Sequence, residues 1–98
     1  MPNEQQIQPE QIIQTQSVEF QTIYTNHIQS TFSALDVSLL LGRVAAVQNQ
    51  WALESLARVI MTPTEAKILV NIMTNTIKSY EARFGAISIP PEVAVPLL

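Results

Sequence analysis

The sequence predicts an α+β domain, in which a three- to four-stranded antiparallel β-meander precedes one long C-terminal α-helix packed on the sheet. Two observations predict it. Apolar and polar side chains alternate from Val18 to Phe32 and again from Val37, which is the period of half-buried antiparallel strands. A stretch with helical spacing and clear end signals then runs from Thr62 to Gly85.

The first two strands are predicted at 18–32 and 37–44. "SALD", residues 33–36, forms the predicted turn between them, but it contains neither Gly nor Pro, so its turn type is not specified. Gly42 falls inside the second strand. A glycine there indicates either a β-bulge or a close approach of another group to the backbone.

The segment 45–57, "AAVQNQWALESLA", admits two interpretations. We favour a hairpin loop around Gln48–Gln50 followed by a third strand from about Leu53 to Met61. The alternative is a short helix between strands, because Ala, Gln, Leu and Glu favour helix by propensity.

The helix is predicted over Pro63–Phe84. Thr62 is the expected N-cap, Pro63 takes the first helical position, and Glu65 completes a capping box by reaching back to the cap amide. Gly85 supplies the residue after the helix, where a positive φ has no steric cost. The apolar stripe predicted to cover the sheet has alternating four- and three-residue spacing and comprises Ala66, Leu69 or Val70, Met73, Ile77, Tyr80 and Phe84.

Three residues are candidates for an interface. Ile68 and Ile72 widen the helix's apolar surface beyond what one three-stranded sheet needs, which indicates a second contact, such as another copy of the chain; the alternative is a helix sunk deeper into its own core. Trp51 lies in the polar segment "QNQWALE". It either folds back over the core, as tryptophans usually do, or serves as an exposed interface anchor.

We divide the chain into three parts. Residues 1–17 are a Gln-rich tail that we expect to be disordered. Residues 18–85 form the single β-β-β-α domain. Residues 86–98 contain three prolines and are predicted to be either an extended arm, packed on a sheet edge or another subunit, or a frayed tail.

Composition excludes several classes of partner. The chain has 5 Lys and Arg residues, all scattered, so we expect no nucleic-acid partner. No apolar run is long enough for a membrane span, and the N-terminus lacks the features of a secretory signal, so we expect a cytoplasmic protein without a membrane partner. Charged residues make up only 13% of the chain, which favours self-association into a homodimer or larger oligomer.

The sequence predicts no enzyme, with no catalytic residue, metal site or cofactor. His27 is the only histidine and has no acidic or serine neighbour at triad spacing. The eight acidic residues are dispersed, and the chain contains no cysteine. Two glycines are too few for a phosphate-binding Gly-rich loop.

Several short motifs resemble the domain of unknown function 3467 family of small prokaryotic proteins. The resemblance covers about residues 23–85 and implies a strand–strand–strand–helix order, but no assigned activity or catalytic residue. Two features depart from it: Leu40 stands where the family usually has aspartate, and 45–57 replaces a hairpin loop containing Gly and Pro. The matching segments are Tyr24 with Asn26, Gly42–Val44, Arg58–Pro63, Ala66–Lys67 and Tyr80–Glu81.

A fainter resemblance links "VEFQTIYTNHIQ" to the first strand of the export chaperone SecB, which also places a β-meander before a helix and assembles as a dimer of dimers. These observations lead to two hypotheses. The first is a small non-enzymatic oligomeric adaptor that binds itself and another protein. The second is a SecB-like chaperone that binds unfolded or extended segments.

Overall fold

The computed structural model describes residues 11–90, and the tail and arm predictions that concern 1–10 and 91–98 lie outside this range. Three strands and one helix follow one another: β1 (His27–Phe32), β2 (Val37–Val47), β3 (Gln50–Met61) and α1 (Pro63–Phe84). The strands form one antiparallel sheet in the order β1-β2-β3. The predicted α+β layout is therefore confirmed.

The first strand is shorter than predicted. It begins at His27 instead of Val18, because the chain before it leaves the ladder at Asn26. The Asn26 amide side chain accepts a hydrogen bond from the Val44 N–H (2.8 Å) and donates one to the Val44 carbonyl (3.1 Å). The Asn26 side chain thus occupies the N–H and the carbonyl of Val44, with which a further residue of β1 would otherwise pair. The residues between Val18 and Asn26 therefore do not extend β1.

The two turns of the meander differ in chemistry. In the predicted 33–36 turn, the Ser33 N–H donates to the Asp36 carbonyl (2.9 Å), and the Ser33 hydroxyl accepts from the Asp36 N–H (3.2 Å). Between β2 and β3, Gln48 and Asn49 both adopt positive φ, at 50° and 65°. Two successive residues of this kind make the tight turn that matches strand twist. The short-helix alternative for 45–57 is therefore wrong, and both flanking strands extend further than predicted.

Gly42 has both roles considered for it. Leu41 pairs with Ala57 but Gly42 pairs with Ser55, so the register shifts and Leu56 of β3 is the extra residue of a bulge opposite Gly42. A Cβ atom at Gly42 would also lie 2.9 Å from Leu53 Cδ1 and 3.1 Å from the Glu54 carbonyl oxygen. Leu53 and the Glu54 carbonyl would both have to shift to admit a side chain, which favours glycine at this position.

The helix has the predicted bounds and caps. The Thr62 hydroxyl accepts a hydrogen bond from the Glu65 N–H (3.1 Å), and Gly85, with φ of 101°, donates its N–H to the Glu81 carbonyl (2.9 Å). Only half of the capping box forms, since the Glu65 carboxylate makes no hydrogen bond to the cap amide. Both helix ends are nevertheless set by residues that the sequence singles out.

The expected packing of α1 across a sheet face is wrong. Among residues 11–90, the close contacts between elements are mainly those of β1 with β2 and of β2 with β3. Within α1, only Ala66, Leu69 and Glu81 are partly covered. One residue, Thr62, separates β3 from α1. Connections between strands and helices usually need two to six residues to reverse direction. Pro63 also restricts Thr62 to extended backbone, observed at φ −66° and ψ 154°, so the chain enters the helix from an extended residue and not from a turn.

Candidate interaction surface

The most unusual property of the described chain is that no hydrophobic side chain within residues 11–90 is buried. Ser38 is the only buried polar side chain in that range. Folded domains normally stabilise themselves by removing apolar side chains from water. The apolar surfaces that a core would cover are therefore open, and three of them lie on the helix, the sheet and a hairpin.

The first surface is the long apolar stripe of α1, which we call the helix seam. It was predicted to be core, but its members are 41 to 68% exposed. Tyr80 and Phe84 are already in contact, with ring centroids 5.1 Å apart, and the Arg83 guanidinium lies 5.5 Å from the Phe84 ring centroid. After its partly covered first member, Ala66, the seam comprises Val70, Met73, Ile77, Tyr80 and Phe84.

Polar groups beside the helix seam are satisfied within the helix. The Thr74 hydroxyl donates to the Val70 carbonyl (2.7 Å), and the Thr76 hydroxyl donates to the Ile72 carbonyl (2.9 Å). A hydroxyl group that donates to a carbonyl of the preceding turn does not need a water molecule as its acceptor. Covering the middle of the seam therefore leaves neither hydroxyl without a partner.

The predicted interface residues Ile68 and Ile72 lie on a different face of α1. At 3.6 residues per turn they sit roughly 140° around the helix axis from the seam. Their exposures are 43% and 52%, similar to those in the seam. They form a short patch near the helix start, while the seam follows the helix to its end.

The second surface is one face of the sheet. Strand pairing aligns three rows across it: Ile28–Leu41–Ala57, Ser30–Leu39–Val59 and Phe32–Val37–Met61. All but Ser30 are apolar, and Phe32 is 86% exposed. The other face is mainly polar: His27, Gln29, Thr31, Ser38 and Arg58 lie there, together with the apolar Leu40 and Ile60. The sheet is therefore amphipathic, but no helix covers its apolar face.

The third surface contains Trp51. Because β1 stops opposite Gly42, the β2–β3 hairpin continues alone from Arg43 to Glu54, and we call this part the hairpin arm. Val44 pairs with Leu53 and Ala46 pairs with Trp51, so four apolar residues share one face of the arm. Trp51 is 78% exposed and does not fold back over a core. An ion pair joins Arg43 and Glu54 on the opposite face (3.3 Å).

Residues that sequence reasoning considered for chemistry do not converge. His27 lies at the start of β1, and its buried Nε2 atom has no hydrogen-bond partner among residues 11–90. A shallow concavity of about 560 Å³ lies along the polar sheet face and includes Gln29, Ser38 and Arg58. Within residues 11–90, no three His, Asp or Glu side chains are close enough together to bind a metal ion.

The concavity contains one feature that the sequence alone could not locate. Leu40 and Arg58 are directly opposite each other on β2 and β3. Leu40 is the position at which the resembling family usually has aspartate, so an acidic residue there would face a guanidinium. Only the strand register reveals this neighbour, because the two residues are far apart in the sequence.

The comparisons with known proteins identify a family without a known activity. Among residues 11–90, no helix has both the length and the apolar character that crossing a bilayer requires. No curated protein and no solved structure matches the chain, so the SecB resemblance depends on strand residues alone. A family model described as a protein of unknown function, DUF3467, matches residues 1–89. The motifs in the strands and the helix, together with this match over most of the chain, show that the protein belongs to the DUF3467 family.

Proposed function

We propose that the protein is a small, non-enzymatic, oligomeric protein-interaction domain that acts as an adaptor. One observation carries the proposal: none of the hydrophobic side chains in residues 11–90 is buried within the chain. The sheet and the helix are nonetheless regular and capped. A chain with regular, capped secondary structure but no buried apolar core among these residues needs another polypeptide to cover its apolar surfaces.

The energetic argument concerns size. A domain of this length is stable only because it buries roughly two-thirds of the surface that its unfolded chain exposes. Each large apolar side chain left in water forgoes about 1.5–3 kcal/mol of stabilisation. The helix seam alone contains five such side chains. We propose that a second copy of the chain is the first partner and that a different protein binds the completed assembly.

The nature of the open surfaces supports binding over catalysis. A catalytic site needs a nucleophile beside a base, or a metal cluster, in a concave pocket. Here the concavity lies on the polar sheet face, where Thr31 and Ser38 hydrogen-bond to each other (2.7 Å) without a neighbouring base. Large exposed apolar patches, by contrast, mark sites of protein interaction.

Solution mass measured by light scattering tests the oligomeric part of the proposal. We expect the full chain to be a dimer or larger. Ile77→Lys places a charge in the helix seam and should abolish association, whereas Asn75→Lys, on the opposite side of the same turn, should leave the mass unchanged. Ile68→Lys and Ile72→Lys test the short patch in the same way. A folded, monomeric wild-type chain would contradict the proposal.

A chaperone that binds extended segments is the second candidate. Both outer strands, β1 and β3, have an edge without a strand partner among residues 11–90, and an extended peptide could add to such an edge. Trp51 is the only tryptophan, so its fluorescence reports on ligands at the hairpin arm. A chaperone suppresses the aggregation of several unrelated unfolded proteins. An adaptor does not, and it shifts the Trp51 emission only with its specific partner.

A further inference from the structure

The helix seam has the spacing of a coiled-coil interface. Its residues follow one another at intervals of four, three, four, three and four from Ala66 to Phe84. That 3.5-residue average keeps one line of side chains facing a partner helix, with each side chain inserted between those of the partner. A sheet does not require this repeat. Another α-helix matches this repeat. In the proposed oligomer, α1 of a second copy is available as that helix.

We propose that α1 packs antiparallel against α1 of a second copy, with the two-fold axis passing between the two seams, midway between the levels of Met73 and Ile77. This inference rests on the proposed oligomer and adds its interface and direction. The register pairs Ala66 with Phe84 of the second copy, Val70 with Tyr80, and Met73 with Ile77. Each layer then contains either one small and one large side chain or two side chains of similar size.

A parallel pair packs much worse. It places each residue against its own copy, so two alanines meet at position 66 and two phenylalanines meet at position 84. Cores are disfavoured both by cavities and by overpacking. Uniform filling of all six layers therefore favours the antiparallel direction.

Charges at the sides of the helix seam favour the same direction. The antiparallel register brings Lys67 beside Glu81 of the second copy, and symmetry repeats this contact at the other end. Glu81 accepts a hydrogen bond from the Ile87 N–H through Oε2 (2.8 Å), which leaves Oε1 for the lysine. Thr74 and Thr76, with their hydroxyls already bonded to the helix backbone, lie beside their own copies at the axis. In a parallel pair, Glu81 instead lies beside Thr76 of the second copy, and Lys67 has no acidic neighbour there.

The exposed area suits such a contact. The five exposed seam residues present roughly 500 Å² of apolar surface per helix, taking about 200 Å² for each large side chain. Specific interfaces bury about 800 Å² per partner. Leu69, Arg83 and the aliphatic part of Lys67 flank the seam and supply much of the remainder.

Disulfide trapping tests the direction, because the natural chain contains no cysteine. Chains carrying Ala66→Cys and chains carrying Phe84→Cys are refolded separately and as a mixture, then oxidised and separated by non-reducing electrophoresis. We expect covalent dimers only in the mixture. In an antiparallel pair, two copies of position 66 are about 27 Å apart along the axis, since each residue rises 1.5 Å.

The outcomes separate the inference from the proposed function. If Ala66→Cys alone forms covalent dimers, the helices are parallel, and the inference is overturned while the oligomer stands. If the wild type is a dimer by mass but no disulfide forms in either sample, another surface forms the dimer and the inference is again overturned. A monomeric wild type overturns both.

Charge reversal provides an independent check that keeps every core residue. We expect Lys67→Glu to raise the dimer dissociation constant about tenfold, because two attractive pairs become repulsive. Adding Glu81→Lys to the same chain should restore the constant to within about threefold of the wild type. Lys78→Glu makes the same change in charge away from the seam, and it is therefore the matched control for the effect of net charge on the dissociation constant. Equal weakening by Lys67→Glu and Lys78→Glu would contradict the proposed register.

Discussion

The sheet and the helix of this protein are completed in different ways. The sheet is held together by internal hydrogen bonds, through two antiparallel ladders, two tight turns and the Asn26 side chain. The helix also has both ends capped, but the five large side chains of its seam stay 41 to 68% exposed among residues 11–90. The difference shows that regular, capped secondary structure can form in a chain whose hydrophobic surfaces are not yet covered.

Substitution of neighbouring leucines in β2 tests this contrast most strongly. Leu39 lies in the middle row of the apolar sheet face, and Leu40 lies opposite Arg58 on the polar face. We expect Leu39→Asp to destabilise the folded assembly by at least about 2 kcal/mol, because a charge is placed on a surface that another chain covers in the proposed assembly. Leu40→Asp should change the free energy of unfolding by less than about 1 kcal/mol, since the carboxylate faces a guanidinium.

Urea denaturation of both variants and the wild type at one protein concentration measures this difference. The two substitutions introduce the same side chain at adjacent positions, so each is the control for the other. Equal destabilisation by Leu39→Asp and Leu40→Asp would show that the apolar sheet face stays in water. The sheet would then not be part of the proposed interface.

The bulge at Gly42 is the next largest test and concerns the sheet alone. We expect Gly42→Val to cost about 1–3 kcal/mol, because its side chain would overlap Leu53 and press on the Glu54 carbonyl. Adding Leu53→Ala should recover only part of the loss, since the backbone oxygen still lies 3.1 Å from the new Cβ. Thermal unfolding followed by circular dichroism measures both changes. Full recovery would indicate that only the leucine, and not the backbone, requires glycine.

The N-cap is the smallest test and concerns the helix alone. Thr62→Ala removes the hydroxyl that accepts the Glu65 N–H, and we expect a loss of about 1 kcal/mol. Thr64→Ala, on the exposed first turn, is the matched control and should have little effect. The midpoint of urea denaturation measures this change in stability, provided that the dependence of the unfolding free energy on urea concentration is the same in all variants. An unchanged midpoint for Thr62→Ala would show that the helix start does not limit stability.

Much of the fold could be predicted from the sequence because its signals are local. Thr62, Pro63 and Gly85 set the helix ends through their own backbone preferences, and all three were assigned correctly. The turn at 33–36 and the bulge at Gly42 were also predicted. The β2–β3 turn was located only approximately, because Gln48 and Asn49 adopt positive φ without the glycine that usually signals it.

The sequence by itself determined the order of elements, the caps and the amphipathic faces of the sheet and the helix, since these follow from backbone preferences and periodicity. Only the tertiary structure decided that the two faces do not meet. An apolar stripe has the same spacing whether it covers its own sheet or another chain, so periodicity cannot distinguish the two. The one-residue connection at Thr62 disfavours such packing, because it is shorter than the connections that usually reverse the chain between a strand and a helix.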